Sequence, residues 1–109
     1  MGLRSDLWVA AYLRRAGVEG AFATLRRRGA SEAGAIFVVV DRLDGRIALY
    51  EPAPSDDGER RWIRAHAAEW IDPADTEARL QRQLRFDPDI WIVDLDSRDG
   101  GHWLDLAQP

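Results

Sequence analysis

Residues 35–40 read Ala-Ile-Phe-Val-Val-Val and residues 90–95 read Ile-Trp-Ile-Val-Asp-Leu, and these two stretches decide the fold. Both are rich in β-branched and aromatic side chains, the composition of a strand. Side chains alternate across a strand, so Ile36, Val38 and Val40 share one face while Phe37 and Val39 take the other. In the second stretch Ile90 and Ile92 oppose Trp91 and Val93. A strand with one wet face would alternate apolar with polar; these two are apolar on both faces and must be covered on both.

Working outward, Asp44-Gly45 interrupts the first stretch before Ile47 and Leu49 resume the alternation, which predicts a β-hairpin over 35–50. Residues 21–28 suit a helix through Phe22 and Leu25, but their short length and flanking glycines favour a strand. Residues 51–58 hold two Pro, two Asp and a Gly and form a surface loop. Residues 60–65 return as a strand around Trp62. A first helix is expected over 5–16, with Ser5 as its cap and Leu7, Trp8, Ala11, Tyr12 and Leu13 at helical spacing. A second starts at Asp72-Pro73 and runs to about Leu84 on a thin stripe of Leu80 and Leu84.

The resulting order, α-β-β-β-β-α-β, predicts a single α+β domain: a mostly antiparallel sheet of four to five strands with two helices packed on one face. Under that arrangement the far face needs the C-terminal tail, a loop, a partner or a second subunit. A homodimer or a hydrophobic binding surface is therefore expected there, with Phe37, Trp62 and Trp91 as its anchors.

The 109 residues are 46% apolar and 31% charged, which fits one globular domain over 1–109, with 96–109 a partly ordered tail pinned by Trp103 and Leu104. No apolar run approaches the ~20 residues that span a bilayer, and no charged-then-apolar leader opens the chain, so a cytoplasmic setting without membrane contact is expected. Fifteen Arg stand with no Lys, Cys or Asn. That excludes a Schiff-base or phosphate-loop lysine, a thiolate nucleophile and disulfides; a G/C-rich coding bias accounts for the pattern. Net charge is unevenly spread: residues 1–50 hold eight Arg and five acids (+3), residues 51–109 seven Arg and fourteen acids (−7). If the halves fold to opposite edges, the molecule is electrically polar and orients a partner or a second copy.

Four segments together carry a resemblance: Leu-Arg-Ser-Asp-Leu-Trp-Val-Ala-Ala-Tyr-Leu-Arg-Arg from Leu3, Ala33-Gly34-Ala35, Leu43-Asp44-Gly45-Arg46, and Phe-Asp-Pro-Asp-Ile-Trp-Ile-Val from Phe86. The chain resembles the short alphaproteobacterial proteins of the domain-of-unknown-function family numbered 1491, across nearly its whole length. The Phe-Asp-Pro-Asp-x-Trp segment is the most specific. Where relatives read Asp-Pro after the Arg-Gly step, this chain has Ala30-Ser31, so no role for an acid carries over there. The resemblance implies no activity; it implies the fold boundaries and a bacterial, cytoplasmic setting.

No catalytic constellation emerges. Asp87, Asp89, Asp94 and Asp96 cluster around the last strand, but with neither the glycine nor the closing Glu of a calcium loop, and no metal site or other cofactor is expected. Asp94 shares a face with Ile90 and Ile92 and therefore needs a partner such as an Arg. His66 and His102 belong to no ligand pair, and no serine sits in a nucleophile elbow. Arg26, Arg27 and Arg28 form the densest basic run, either an edge strand's solvated charges or a weak anion site. The acidic pI argues against nucleic acid as a partner. Two functions remain: a non-catalytic protein-interaction or self-assembly module, and, as the alternative, a site for an anionic small molecule, enzymatic or not, built from Arg26, Arg27, Arg28 and nearby acids.

Overall fold

A computed structural model describes residues 3–108. The elements are α1 (Ser5–Val18), β1 (Phe22–Arg27), β2 (Ile36–Asp41), β3 (Ile47–Pro52), β4 (Trp62–Arg64), α2 (Pro73–Phe86) and β5 (Trp91–Asp96), in the expected α+β order. Of residues 21–28, Phe22–Arg27 form a strand. The five strands form one sheet in the order β1-β5-β2-β3-β4. All neighbours pair antiparallel except β2 and β5, which run parallel from Ile36 beside Trp91 to Asp41 beside Asp96.

The two strands that are apolar on both faces, β2 and β5, lie side by side at the centre, where both faces can be covered. One face carries Ile36, Val38, Val40, Trp91, Val93 and Leu95 against Val9, Tyr12 and Ala16 of α1. The other carries Phe37, Val39, Leu49 and Ile92 against Leu80 of α2. The helices thus take opposite faces of the sheet, which corrects the expectation that both pack on one. The reason is the crossover: β5 is parallel to β2, and the chain from β4 to β5 returns over the face that α1 leaves open.

That correction removes the premise for a bare far face. Phe37, Trp62 and Trp91 retain 4%, 2% and 1% of their accessible surface, Phe37 under α2 and the two tryptophans under α1. They are core residues that share no surface. The Trp62 indole N–H donates to the Ile36 carbonyl and that of Trp91 to the Ala30 carbonyl, so each polar tip is satisfied inside.

Local chemistry sets the joints. At α2 the Asp72 carboxylate accepts from the Asp75 N–H at 2.7 Å ahead of Pro73, as the sequence predicts. At α1 no side chain caps the helix, and Ser5 is its first residue. The free N–H groups of Ser5 and Asp6 donate instead to the carbonyls of Glu32 and Ser31, while the Ser5 hydroxyl donates to the Gly34 carbonyl at 2.6 Å. The loop after β1 also presses against the turn before β5, which its glycines permit. A Cβ on Gly34 would stand 2.6 Å from the Asp89 oxygen, and one on Gly29 would collide with the same carbonyl.

The tail closes one sheet edge. Leu106 bridges Trp62 in parallel, with the Trp62 N–H donating to Asp105 and the Ala107 N–H to Trp62. Leu104 is buried in the α1-side core, and no helix among the described residues is long and apolar enough to cross a membrane.

Candidate functional site

α1 ends in a tight left-handed turn. The Ala21 N–H donates to the Ala16 carbonyl and the Gly20 N–H to Gly17, with Gly20 at φ +79°. This pattern satisfies the last carbonyls and swings the chain directly into β1. Phe22, the first residue of β1, then pairs with Asp96, the last of β5, and Asp96 in turn lies beside Asp41, the last of β2. Three strand ends and one helix end meet there.

Two loops complete the wall. In residues 42–46 the Asp41 carboxylate accepts from the Leu43 N–H at 2.7 Å, and Leu43 sits at φ +66°. In residues 97–103 the Asp99 carboxylate accepts from Gly101 N–H and the Ser97 hydroxyl, and Arg42 Nε donates to the Arg98 carbonyl, tying the loops together. His102 and Leu104 are then anchored on either side of Trp103. Tyr12 Oη donates to the His102 carbonyl at 2.8 Å, the His102 ring packs on Tyr50, and Leu104 is in the core. Trp103 is held between them at φ +56° with 37% of its surface exposed.

The result is an open cleft of about 580 Å³ lined by Glu19, Phe22, Leu43, Asp96, Asp99 and Trp103, among others. Leu43 and Trp103 are the described non-glycine residues with positive φ. A left-handed backbone costs an L residue roughly 1–2 kcal/mol, and such strain persists only where the surroundings impose it, often at functional sites. Both residues spend it on holding a large apolar side chain out in the same cleft, beside Phe22, which is 66% exposed.

The cleft is electrically negative. Glu19, Asp96 and Asp99 line it with Arg98, Arg42 lies close enough for its charge to act on Asp99, and the carbonyl end of α1 adds its partial negative charge. Burial pushes the Asp96 carboxyl above its ordinary value, and the charges of Asp41 and Asp94 push it further the same way. Hydrogen bonds from Gly101 N–H and Ser97 hold Asp99 below its ordinary value and keep it ionised. The arrangement suits a cationic group carried on an apolar body.

Of the acids and arginines singled out by sequence, Asp96 lines the cleft and the others lie elsewhere. Arg26 grips Asp94 through Nε and Nη2 at 2.8 and 2.7 Å and Glu77 through Nη1 at 2.9 and 3.0 Å, stitching β1 and β5 to α2. This is the arginine that a carboxylate on the Ile90 and Ile92 face requires. Arg27 Nη1 donates to the Ile90 carbonyl, and the Arg28 guanidinium lies 5.0 Å over the Trp91 ring. Each guanidinium is thus engaged with a different group of the chain, and the run converges on no shared anion position. Asp87 accepts from the Asp89 N–H as a turn residue. Among the described residues no three His, Asp or Glu side chains stand where they could share a metal ion.

Both imidazoles are committed to backbone. His66 Nε2 accepts from the buried Leu49 N–H at 3.0 Å; since an amide only donates, Nε2 is bare and the proton sits on Nδ1, 2.7 Å from the Ala68 carbonyl. The ring continues the β3–β4 ladder beyond Arg64. His102 Nδ1 accepts from the Leu104 N–H. Burial lowers the pKa of both rings.

Sequence reading missed the cleft because Glu19 and Phe22, Leu43, and Asp96, Asp99 and Trp103 come from three separate segments. One signal was present. Leu43 directly precedes Asp44-Gly45, where a turn calls for left-handed backbone, and an apolar residue there is out of place unless exposed for use.

The chain matches the family described as "Protein of unknown function (DUF1491)" over residues 3–105. A crystal structure of a DUF1491 family protein from Caulobacter crescentus CB15 is 42% identical, with TM-score 0.81 over 96% of this chain and 99% of that one. The solution structure of protein Atu0922 from A. tumefaciens is 37% identical, with TM-score 0.86 over 100% of this chain and 98% of that one. An NMR structure of a DUF1491 family protein from Caulobacter crescentus CB15 is 42% identical, with TM-score 0.82 over 99% of each chain. No curated protein matches the sequence.

Proposed function

The chain belongs to the DUF1491 family, and from that premise we propose that it is a small non-catalytic interaction or assembly module whose working surface is the acidic cleft between the α1–β1 turn and residues 97–103. The observation that carries this reading is the pair of left-handed backbones at Leu43 and Trp103, both holding exposed apolar side chains into one cavity. Strain of that kind is imposed by the anchored residues on either side, and its repetition on two loops that meet supports a use for the side chains it holds out. The three carboxylates beside it select a partner segment that carries Arg or Lys next to apolar groups.

The alternative, an anionic small molecule held by Arg26, Arg27 and Arg28, has less support because the three guanidinium groups point to three different partners. A titration separates the two. An uncharged-end hexapeptide alternating Arg and Phe is added to ¹⁵N-labelled protein, in parallel with hexaglutamate and inorganic phosphate. The cleft reading expects shifts of Phe22, Leu43, Asp96 and the Trp103 indole with the Arg/Phe peptide alone, lost in Trp103→Ala. Shifts caused by phosphate or hexaglutamate and lost on joint Arg27→Ser and Arg28→Ser substitution would establish the anion site instead. Silence of the cleft to the Arg/Phe peptide refutes the proposal.

A further inference from the structure

The sheet has two edges, and the molecule treats them differently. The β4 edge is closed by the tail through Leu106, whereas β1 pairs with β5 on one side and with no strand on the other among the described residues. β1 is six residues long and extended, and it leaves Phe22 66% and Leu25 38% exposed. An open edge of that length invites another strand.

β1 is also polar along its length. At its start lie Glu19, Asp96 and Asp99; at its end lie Arg26, Arg27 and Arg28. Arg28 is exposed, touches the Trp91 ring and forms no ion pair among the described residues. Laid antiparallel, two copies of this edge bring each acidic end against the other's basic end, twice over. Such a contact is self-complementary about a two-fold axis, as a closed dimer requires. An axis perpendicular to the sheet keeps equivalent faces on the same side and makes one residue its own partner. With Thr24 in that place, Phe22 faces Arg26 of the second copy, and Gly20, next to Glu19, faces Arg28 of the second copy. The register break between Leu25 and Arg27 and the arginines discourage an uncharged strand from adding here, whereas a second copy offsets the arginine charge with its acidic end; with both β1 edges paired and β4 bridged by the tail, the assembly closes at two copies.

We propose that the chain self-associates through β1 into a two-fold dimer with one continuous sheet, in which Arg28 of each copy supplies the cation that the other copy's acidic cleft selects. This rests on the reading of the cleft above and names its occupant. The contact is narrow, so the dimer forms in the micromolar-to-millimolar range and weakens with salt.

Sedimentation equilibrium of the full chain over that concentration range, at low and high salt, tests it. The expected mass rises from 12.3 kDa toward twice that value with concentration. Glu19→Arg and Arg28→Glu, both surface changes, each weaken association at least about tenfold. Combined in one chain they restore it, since each new Glu then meets a new Arg; loss of fold in either variant, checked by circular dichroism, cannot produce that rescue. A chain that stays monomeric throughout, or a dimer indifferent to the single changes and the swap, overturns the proposal. If the monomer's cleft still answers the Arg/Phe peptide, the self-association is wrong and the cleft reading stands. If neither responds, both fall.

Discussion

His66 supports a sharp test of how the far end of β3 is held. The ring is 7% exposed and fills the place of a missing strand residue, accepting from the N–H of Leu49, itself 1% exposed. His66→Phe keeps the ring volume and removes the acceptor. The Leu49 N–H is then buried without a partner, a loss of about 1–3 kcal/mol, while the exposed Ala68 carbonyl turns to water. For a domain near this size that lowers the melting midpoint by roughly 4–8 °C per kcal/mol. His66→Gln, whose amide offers both an acceptor and a donor, recovers part of the loss. The pH dependence follows from the lowered pKa of His66 and His102. Below the ordinary histidine value near 6.5 the unfolded chain takes up protons that the folded one refuses. Stability is therefore full above that value and falls as pH drops through it toward the folded pKa, by up to ~1.4 kcal/mol per pH unit for each ring. Urea midpoints at steps from about pH 7.5 to about pH 5.5, above the carboxylate range, read this directly. The wild type loses stability across the window, His66→Gln loses less, and a variant lacking both histidines is flat. A wild-type slope retained in His66→Gln, together with an unshifted melting point in His66→Phe, would falsify the assignment.

Other expectations follow from single contacts. Gly29→Ala and Gly34→Ala each force a Cβ into the Asp89 carbonyl and cost about 3 kcal/mol or more, seen as loss of cooperative urea unfolding or a large drop in its midpoint. At Leu43, where φ is +66°, Gly is expected to leave stability within about 0.5 kcal/mol or raise it, whereas Val, branched at Cβ, costs about 1–2 kcal/mol; equal effects from both would contradict the strain. Arg26→Met unties β1 and β5 from α2 at a cost near 1 kcal/mol, modest because the guanidinium is a third exposed, and thermal melts should show the gap to wild type narrowing as salt is added.

The elements themselves were legible from local pattern. The unbroken apolar runs at 36–40 and 90–93 require cover on both faces whatever provides it, Asp44-Gly45 requires a turn, and Asp72-Pro73 starts a helix in any context. The need of Asp94 for an arginine was readable too, because a carboxylate on an apolar face has few alternatives. These are properties of short segments and of the two-residue period of a strand.

Which segments meet was decided by the tertiary structure. The period shows that β2 and β5 are covered twice but not that α1 takes one face and α2 the other, so Phe37, Trp62 and Trp91 read as spare surface and are core. Inserting β5 between β1 and β2 brings Asp96 to Asp41 and to Phe22, across 55 and 74 residues of chain, and makes the cleft. Long-range pairing of this kind depends on the summed burial of whole faces, a quantity no single segment carries. The left-handed backbone at Trp103 exists for the same reason: nothing in its neighbours' identities demands it, and only Tyr12, Tyr50 and the core around Leu104, brought together by the fold, hold it there.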